Sequence, residues 1–210
     1  MVSRWVRSWD SWLLAPLLRA LAEVGVRPNL LTVFSLACMI VAGLVVAWGH
    51  LLIAGGALLV GGIADGLDGE LARQTDRMTL FGGFLDSICD HCGDFAFSLG
   101  LIWHYLNEHA TTEVILVVVA LFGSMLGSQI RSRAGMLAIN TKTVGLATRF
   151  ERMVLWIAGI FTGHLPLALW ALAVLNNVAA LQRMVYVCRR SYNHQADQPS
   201  DDNVSGAPPL

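Results

Sequence analysis

Four aspartates in an otherwise apolar stretch are the residues of this chain whose types and spacing could do chemistry. Asp65 and Asp68 lie three residues apart, and Asp86 and Asp90 lie four residues apart. Residues at these separations share one face of a helix, so each pair presents two carboxylates side by side. Carboxylates without histidine or cysteine ligands select hard cations such as Mg²⁺, Mn²⁺ or Ca²⁺. Two such ions about 3.5–4 Å apart promote displacement at phosphorus.

The composition indicates an all-α integral membrane protein. Hydrophobic residues make up 55% of the 210 residues and charged residues 14%, with a mean hydropathy of +0.59. A soluble domain carries about 25% charged residues. An ionised carboxylate inside a bilayer costs roughly 2.5–3.5 kcal/mol on insertion scales, so bound cations are needed to gather four of them. The four cysteines lie in apolar surroundings and are expected to be reduced, and no nucleic-acid partner is expected.

Apolar runs predict six transmembrane helices after an N-terminal amphipathic helix. In residues 4–23, Trp5, Trp9 and Trp12 share a face opposite several polar residues, which is typical of a helix lying in the membrane interface. An ordinary packing helix is the alternative. Asn29 follows a break in the chain and is expected to cap the first span. The predicted spans, each near the roughly 20 residues that cross a bilayer, are 30–48, 51–72, 80–106, 113–137, 150–163 and 165–187.

The positions of the basic residues predict the orientation of the chain in the cell membrane. All 14 Lys and Arg residues fall in the N-terminal segment, 73–77, 131–152 and 183–190. The positive-inside rule therefore places both termini and the acidic site on the cytoplasmic side. Residues 1–192 are expected to form a single membrane domain, and the Pro-, Ser- and Asp-rich residues 193–210 a disordered cytoplasmic tail.

Glycines and an arginine surround the aspartates. Gly66, Gly69, Gly82 and Gly83 flank the acids and leave room for a ligand near the helix backbone. Close packing of neighbouring helices is the alternative explanation for these glycines. Arg73, one helical turn after Gly69, is placed to meet a phosphate group near the cations.

The stretch from Asp65 to Asp90 matches a known signature in full. It reads D-x2-D-G-x2-A-R-x8-G-x3-D-x3-D, with eight specified positions at set spacing, and so resembles the CDP-alcohol phosphatidyltransferase family. Arg27-Pro28-Asn29 followed by Thr32 resembles the start of the family's first span. The resemblance implies six membrane helices with an interfacial helix, two Mg²⁺ or Mn²⁺ ions and a homodimer. It also implies transfer of a phosphatidyl or archaetidyl group from a CDP-linked lipid to an alcohol, with release of CMP.

The resemblance further implies a role for each residue that matches the signature. Asp65, Asp68 and Asp86 would bind the metal ions, and Asp90 would bind metal and also act as the general base. The residues expected to line the CDP group are Asn29, Thr32, Asp68, Gly69, Ala72, Arg73 and Gly82.

Arginines in the last three predicted spans bear on the acceptor alcohol. Guanidinium groups bind phosphate bidentately, so their convergence favours a phosphorylated acceptor; flanking charge that binds lipid head groups is the alternative. The pattern is similar to the branch that makes phosphatidylinositol phosphate or archaetidylinositol phosphate, in which Arg131, Arg149 and Arg183 would bind the phosphate of inositol phosphate. That branch usually has an acidic residue where this chain has Gly135. Glycerol phosphate, as in a phosphatidylglycerophosphate synthase, therefore stays open.

Three other interpretations of the aspartate and cysteine motifs compete with this one. A divalent-cation transporter would also carry intramembrane acids, but few polar residues follow Asp94 in the outer halves of the spans. A prenyltransferase clusters its aspartates differently. Cys89 and Cys92 with His91 between them could suggest zinc, although the motif stands alone within a predicted span. Asp94 continues the helix face of Asp86 and Asp90, and its role stays open.

Overall fold

Seven helices make up the part of the chain that the structure describes. The structure is a computed structural model, and it describes residues 15–137, 139, 141, 144 and 148–196. Helices are the expected outcome in lipid, because a helix satisfies its backbone hydrogen bonds within one segment. The helices are α1 Ala15–Glu23, α2 Pro28–Ala47, α3 Leu51–Gln74, α4 Leu80–Asn107, α5 Thr111–Met136, α6 Arg149–Phe161 and α7 Leu165–Ala196.

Several helices are long and apolar enough to cross a membrane. In the described chain, α2, α3, α5 and α7 meet these requirements of length and hydropathy. Helix α4 contains three aspartates and α6 has 13 residues, and neither is among them. A multi-pass membrane protein is thereby confirmed, whereas the number of six spans stays a prediction. Many large apolar side chains face outward, as expected of a surface in contact with lipid, and examples are Ile53, Phe122 and Leu167.

The predicted segments agree closely with the helices, except at the end of the last one. Helix α7 continues to Ala196, whereas the last predicted span ends at residue 187. The apolar run stops near 187, but the residues that follow, including Arg189 and Arg190, are compatible with a helix that continues beyond the membrane. Of the predicted interfacial helix at 4–23, the structure shows the end as α1; residues 4–14 lie outside the described residues, as does most of 193–210.

The expected helix cap at Asn29 is wrong. Helix α2 begins at Pro28, its N-cap is Arg27, and no side chain caps it. Proline fits the first position of a helix because its missing N–H would have no partner there. Asn29 thus lies inside the first turn, where its side chain is free to point elsewhere.

Helix α2 lies between α3 and α4 and packs closely against both. Ser35 Oγ donates a hydrogen bond of 2.9 Å to the carbonyl oxygen of Gly61 on α3. On the other side, a Cβ added to Gly43 would lie 2.5 Å from the carbonyl oxygen of Ala96 on α4. Small residues at these crossings let the backbones approach. The two acidic helices are therefore held in a set position by α2.

Side chains of all the helices from α2 to α7 form one buried apolar core. A smaller buried cluster packs α1 against α3. The ring of Phe97 on α4 meets the ring of Trp156 on α6 edge to face, with centroids 5.3 Å apart. The smaller cluster packs Leu18 of α1 against Leu67 and Leu71 of α3. Leu67 lies between Asp65 and Asp68 in sequence and Leu71 follows them, so α1 packs against the part of α3 that carries the first two aspartates.

Candidate active site

The structure brings carboxylates from two helices together. Asp65 and Asp68 on α3 and Asp86 on α4 each have a carboxylate oxygen within 4.8 Å of the others. The residues of each predicted pair share a helix face. Helices α3 and α4 both pack against α2 and not against each other, and their aspartate side chains meet across the space between them. The donor set is all oxygen, which fits a hard divalent cation such as Mg²⁺ or Mn²⁺.

Asp68 is the most deeply placed of these carboxylates. It is 6% exposed, and the hydroxyl of Thr32, itself 4% exposed, donates a hydrogen bond of 2.5 Å to its Oδ2. A hydroxyl partner holds a buried carboxylate in one orientation. Thr32 therefore connects α2 to the acidic cluster directly.

Asp90 lies beside an arginine and is not part of the three-carboxylate group. Nη1 of Arg149 on α6 lies 2.5 Å from Asp90 Oδ1, and the same nitrogen also pairs with Asp65 Oδ1. One guanidinium thus bridges an aspartate of α3 and an aspartate of α4. Arg149 is nearly buried, and its Nε has no hydrogen-bond partner within the described chain.

A cavity of about 150 Å³ opens between the start of α2, the end of α3 and the start of α4. All seven residues that were expected to surround CDP line this cavity: Asn29, Thr32, Asp68, Gly69, Ala72, Arg73 and Gly82. Its walls also include Gly83, which was expected to leave room for a ligand, and four residues that the sequence argument missed: Pro28, Arg77, Met78 and Thr79.

Thr79 is the missed residue that left a signal in the sequence. It is the N-cap of α4, and its hydroxyl accepts a hydrogen bond of 2.9 Å from the amide of Gly82. A threonine just before an apolar run is a recognisable start of a helix. A Cβ added to Gly82 would lie 3.0 Å from Thr79 Oγ1 and 3.3 Å from Asn29 Oδ1. The absence of a side chain at Gly82 thus keeps this corner of the cavity open.

Three of the four glycines that flank the aspartates make no close approach to another helix. Nothing lies within 4 Å of a Cβ added to Gly66 or Gly83, and a Cβ on Gly69 would meet only the guanidinium of Arg73 at 3.7 Å. Close helix approaches in this chain occur instead at other glycines, such as Gly43 and Gly61. Gly69 and Gly83, which line the cavity, therefore leave space beside it.

Arg73 stands at the mouth of the cavity. Its side chain is 55% exposed, and its Nη2 lies 2.7 Å from Glu70 Oε2 one turn before it on α3. Exposed ion pairs of this kind contribute little stability. The guanidinium can therefore exchange Glu70 for another anion at small cost.

The other candidate arginines, Arg131 and Arg183, lie on α5 and α7 and do not line the cavity. Arg131 is within electrostatic reach of Asp90 and of Arg152, and Arg183 is within reach of Arg131 and Arg152. Arg183 is buried, and its Nε donates a hydrogen bond of 3.0 Å to the carbonyl of Val144. The structure thus gathers the three predicted arginines into one basic region that borders the acidic group.

Nothing supports zinc at the cysteine pair. Cys89 is buried and Cys92 is exposed, and Nε2 of His91 lies 3.0 Å from Ser128 Oγ on α5. Within the described part of the chain, no third ligand converges on these residues.

Comparisons with known proteins agree with this site. Residues 25–186 match the family described as CDP-alcohol phosphatidyltransferase. The chain is 34% identical to the phosphatidylinositol phosphate synthase of Mycobacteroides abscessus, over 80% of each chain. It is 36% identical to the archaetidylinositol phosphate synthase of Methanothermobacter thermautotrophicus, over 76% of this chain and 81% of that protein.

Solved structures of one protein are also similar. They are crystal structures of the phosphatidylinositol phosphate synthase of Mycobacterium tuberculosis, one with CDP-DAG bound and one in complex with manganese and citrate. Both have a TM-score of 0.73 at 27% identity over 82% of this chain, and cover 92% and 88% of the solved chains. The family match spans most of the chain and includes every position of the aspartate signature, and it replaces the transporter alternative. This chain belongs to the CDP-alcohol phosphatidyltransferase family of metal-dependent membrane enzymes.

Proposed function

We propose that this chain transfers a phosphatidyl or archaetidyl group from a CDP-linked lipid to a hydroxyl of inositol phosphate and releases CMP. The observation that carries the proposal is the cavity beside the carboxylates, which all seven expected CDP-lining residues surround. Similar proteins are named phosphatidylinositol phosphate and archaetidylinositol phosphate synthases. The similar protein of M. tuberculosis was solved with CDP-DAG bound.

Asp65, Asp68, Asp86 and Asp90 would hold two divalent cations, Mg²⁺ or Mn²⁺. The all-oxygen donor set and the short separations within the three-carboxylate group support this role. The similar protein of M. tuberculosis was solved with manganese. Bound cations would neutralise the pyrophosphate and stabilise the leaving phosphate. Thr32 would orient Asp68 through its hydroxyl.

Asp90 would take the proton from the acceptor hydroxyl. Its carboxylate stands at the border between the three-carboxylate group and the arginines, where donor and acceptor would meet. A general base must reach the proton that it removes, so this location is its first requirement. The acceptor oxygen then bonds to the lipid-bearing phosphorus, the bond from that phosphorus to the bridging oxygen breaks, and CMP leaves with the bridging oxygen.

Replacing Gly69 with Ala is expected to weaken CDP-lipid binding without harming the fold. The new Cβ meets only the mobile end of Arg73 at 3.7 Å, and alanine favours a helix over glycine by about 0.5–1 kcal/mol. The methyl group would, however, occupy space that the nucleotide needs, and overpacking costs about 1–3 kcal/mol. We expect KM for the CDP-lipid to rise about 5- to 100-fold, measured by CMP release.

Gly56→Ala is the matched control for this change. Gly56 lies on the same helix, nothing lies within 4 Å of an added Cβ, and it is remote from the cavity. It should keep the wild-type KM for both substrates. An unchanged KM for the CDP-lipid in Gly69→Ala would show that the nucleotide does not bind in this part of the cavity.

The acceptor phosphate would bind the arginine region formed by Arg131, Arg149 and Arg183. Arg149 lies nearest the reacting centre, because it contacts Asp65 and Asp90, and its buried Nε has no hydrogen-bond partner in the described chain. A phosphate oxygen would supply that partner through a charge-assisted hydrogen bond.

Replacing Arg149 with Ala should raise KM for inositol phosphate more than KM for the CDP-lipid. A hydrogen bond to a charged group contributes about 1.5–3 kcal/mol, which predicts a rise of about 10- to 150-fold for the acceptor. Both constants are measured by CMP release from CDP-diacylglycerol with Mg²⁺ or Mn²⁺. Arg133→Ala, which removes an exposed arginine on α5, is the control. Equal effects on the two substrates would contradict the assignment.

The acceptor itself is tested by supplying inositol phosphate, glycerol phosphate, inositol and serine in turn. We expect CMP release with inositol phosphate and little with the acceptors that lack phosphate. Release with glycerol phosphate but not inositol phosphate would make the chain a phosphatidylglycerophosphate synthase. No release with any acceptor would overturn the transfer reaction.

The membrane arrangement is proposed as six spans with both termini and the active site in the cytoplasm. Lys and Arg cluster at connections on one side and are absent from residues 48–51, 107–112 and 163–166, which supports this orientation. For six spans, α4 and α6 would cross with the other four helices, their polar ends at the site. Residues 1–192 would form one domain, with 193–210 as its tail, in a homodimer.

The orientation is tested with His164→Cys and a thiol reagent that does not cross the membrane. We expect the reagent to label this cysteine in intact cells, and no labelling would contradict the orientation.

A further inference from the structure

Helices α4 and α6 carry two ion pairs stacked one helical turn apart. Asp90 and Asp94 lie four residues apart on α4, and Arg149 and Arg152 lie three residues apart on α6. Each spacing keeps both side chains on one face of its helix. Asp90 pairs with Arg149, and Asp94 pairs with Arg152. The second pair thus repeats the first one turn further from the active site.

The Asp94–Arg152 pair is largely removed from solvent. Nη2 of Arg152 lies 2.9 Å from Asp94 Oδ2, and the two side chains are 13% and 19% exposed. Both line a small cavity together with the polar side chains of Ser98, Ser124 and Asn176. Ion pairs shielded in this way are screened little, so their geometry is held more firmly than that of a surface pair.

Side chains, not backbone contacts, span the space between α4 and α6. No Cα atom of α4 lies within 8 Å of a Cα atom of α6, although both helices are fully described. The gap is bridged by the two ion pairs and by the edge-to-face rings of Phe97 and Trp156. Helix α6 packs its backbone against α3 and α7 instead. The two ion pairs therefore help to set the position of the first turn of α6 relative to Asp90.

We propose that Asp94 and Arg152 are positioning residues that hold the first turn of α6, and with it Arg149, at the acceptor side of the active site. Arg152 lies one helical turn after Arg149. When the ion pair with Asp94 fixes Arg152, it also fixes the backbone position from which the Arg149 side chain extends. Neither Asp94 nor Arg152 touches the substrates in this proposal. The consequence for acceptor binding rests on the proposed function of Arg149. The effect on the position of α6 does not.

The test compares Asp94→Asn and Arg152→Gln with the charge-exchanged double variant Asp94→Arg/Arg152→Asp. A displacement of about 1 Å near a reacting centre can cost about 100-fold, so we expect each single variant to lower kcat/KM for inositol phosphate about 10- to 100-fold. KM for CDP-diacylglycerol should stay within about twofold of wild type. The exchanged pair should recover at least part of the loss. Glu108→Gln, an exposed acid just after α4, is the matched control.

A double-mutant cycle with Arg149→Ala separates positioning from general stability. If the pair acts through Arg149, adding Asp94→Asn to Arg149→Ala should lower kcat/KM for the acceptor by less than about twofold, because coupled residues are not additive. Full additivity, or equal losses for both substrates, would overturn the proposal. If Asp94→Asn does not fold, Arg152→Lys keeps the charge but not the guanidinium fork, and is subject to the same two criteria.

Amide hydrogen exchange gives a readout that does not depend on catalysis. Exchange over residues 149–155 should rise in Asp94→Asn and stay unchanged over α2 and α3. Unchanged exchange at 149–155 would overturn the positioning role even if activity fell. If exchange rises in Asp94→Asn but the wild-type enzyme uses no phosphorylated acceptor, the positioning role stands and the proposed function is wrong.

Discussion

Replacing Asp90 with Asn is expected to lower kcat about 100- to 10,000-fold, the range that a positioned general base contributes. Asparagine keeps the shape of the side chain but cannot take the proton of the acceptor hydroxyl. The fold should survive, because Arg149 still pairs with Asp65 after the exchange. The measurement is single-turnover release of CMP from CDP-diacylglycerol in the presence of inositol phosphate.

Mn²⁺ binding to the same variant distinguishes the two roles proposed for Asp90. The structure groups Asp65, Asp68 and Asp86 within 4.8 Å without Asp90. We therefore expect Asp90→Asn to bind Mn²⁺ more weakly than wild type, but more tightly than a variant of the three-carboxylate group. CMP release within about tenfold of wild type would take the role of base away from Asp90.

Replacing Asp86 with Asn is expected to abolish activity through the loss of metal binding. Even residues that only support a metal ligand cost about 10- to 100-fold in metal affinity, so the loss of a ligand should weaken Mn²⁺ binding by at least about 100-fold. Titration of purified protein with Mn²⁺, followed by electron paramagnetic resonance, measures this loss directly. Excess Mn²⁺ should restore part of the activity of Asp86→Asn and little of the activity of Asp90→Asn.

Asp76→Asn is the matched control for the metal experiment. Asp76 is an exposed aspartate in the connection between α3 and α4, and it has a φ of 53°. Asparagine tolerates this left-handed conformation, so the change removes one negative charge near the site without backbone strain. Its Mn²⁺ affinity should match wild type. Equal weakening in Asp76→Asn and Asp86→Asn would show that the variants lose only long-range attraction, and no metal ligand.

The local pattern of the sequence was enough to determine the helices and the acidic pairs. Apolar runs broken by glycine, proline and polar connections end close to where the helices end, except at α7, because a bilayer requires continuous helices. Spacings of three and four residues placed Asp65 with Asp68 and Asp86 with Asp90 on single faces. The resemblance, through the aspartate signature and through Asn29 and Thr32, named seven residues for the CDP group, and all seven line one cavity in the structure.

Only the tertiary structure decided which side chains meet across helices. Thr32 reaches Asp68 from 36 positions away, and Arg152 reaches Asp94 from 58 positions away. Neither pairing leaves a trace in local spacing, because the relative depth and rotation of two helices are set by their packing. The wrong cap at Asn29 has a local cause instead, because Pro28 occupies the first position of α2 and Arg27 is its N-cap.

The stretch from Asp65 to Asp90 shows most clearly what the sequence determined and what only the fold decided. Its sequence determined which four acids belong together and that hard cations suit them, since both follow from residue type and helical period. It left Asp94 without a role and Arg149 with only an expected one. In the folded chain, Arg149 lies between Asp65 and Asp90, and Asp94 pairs with Arg152. Helix α6 is far from α3 and α4 in sequence, so only the tertiary structure decides that these side chains meet.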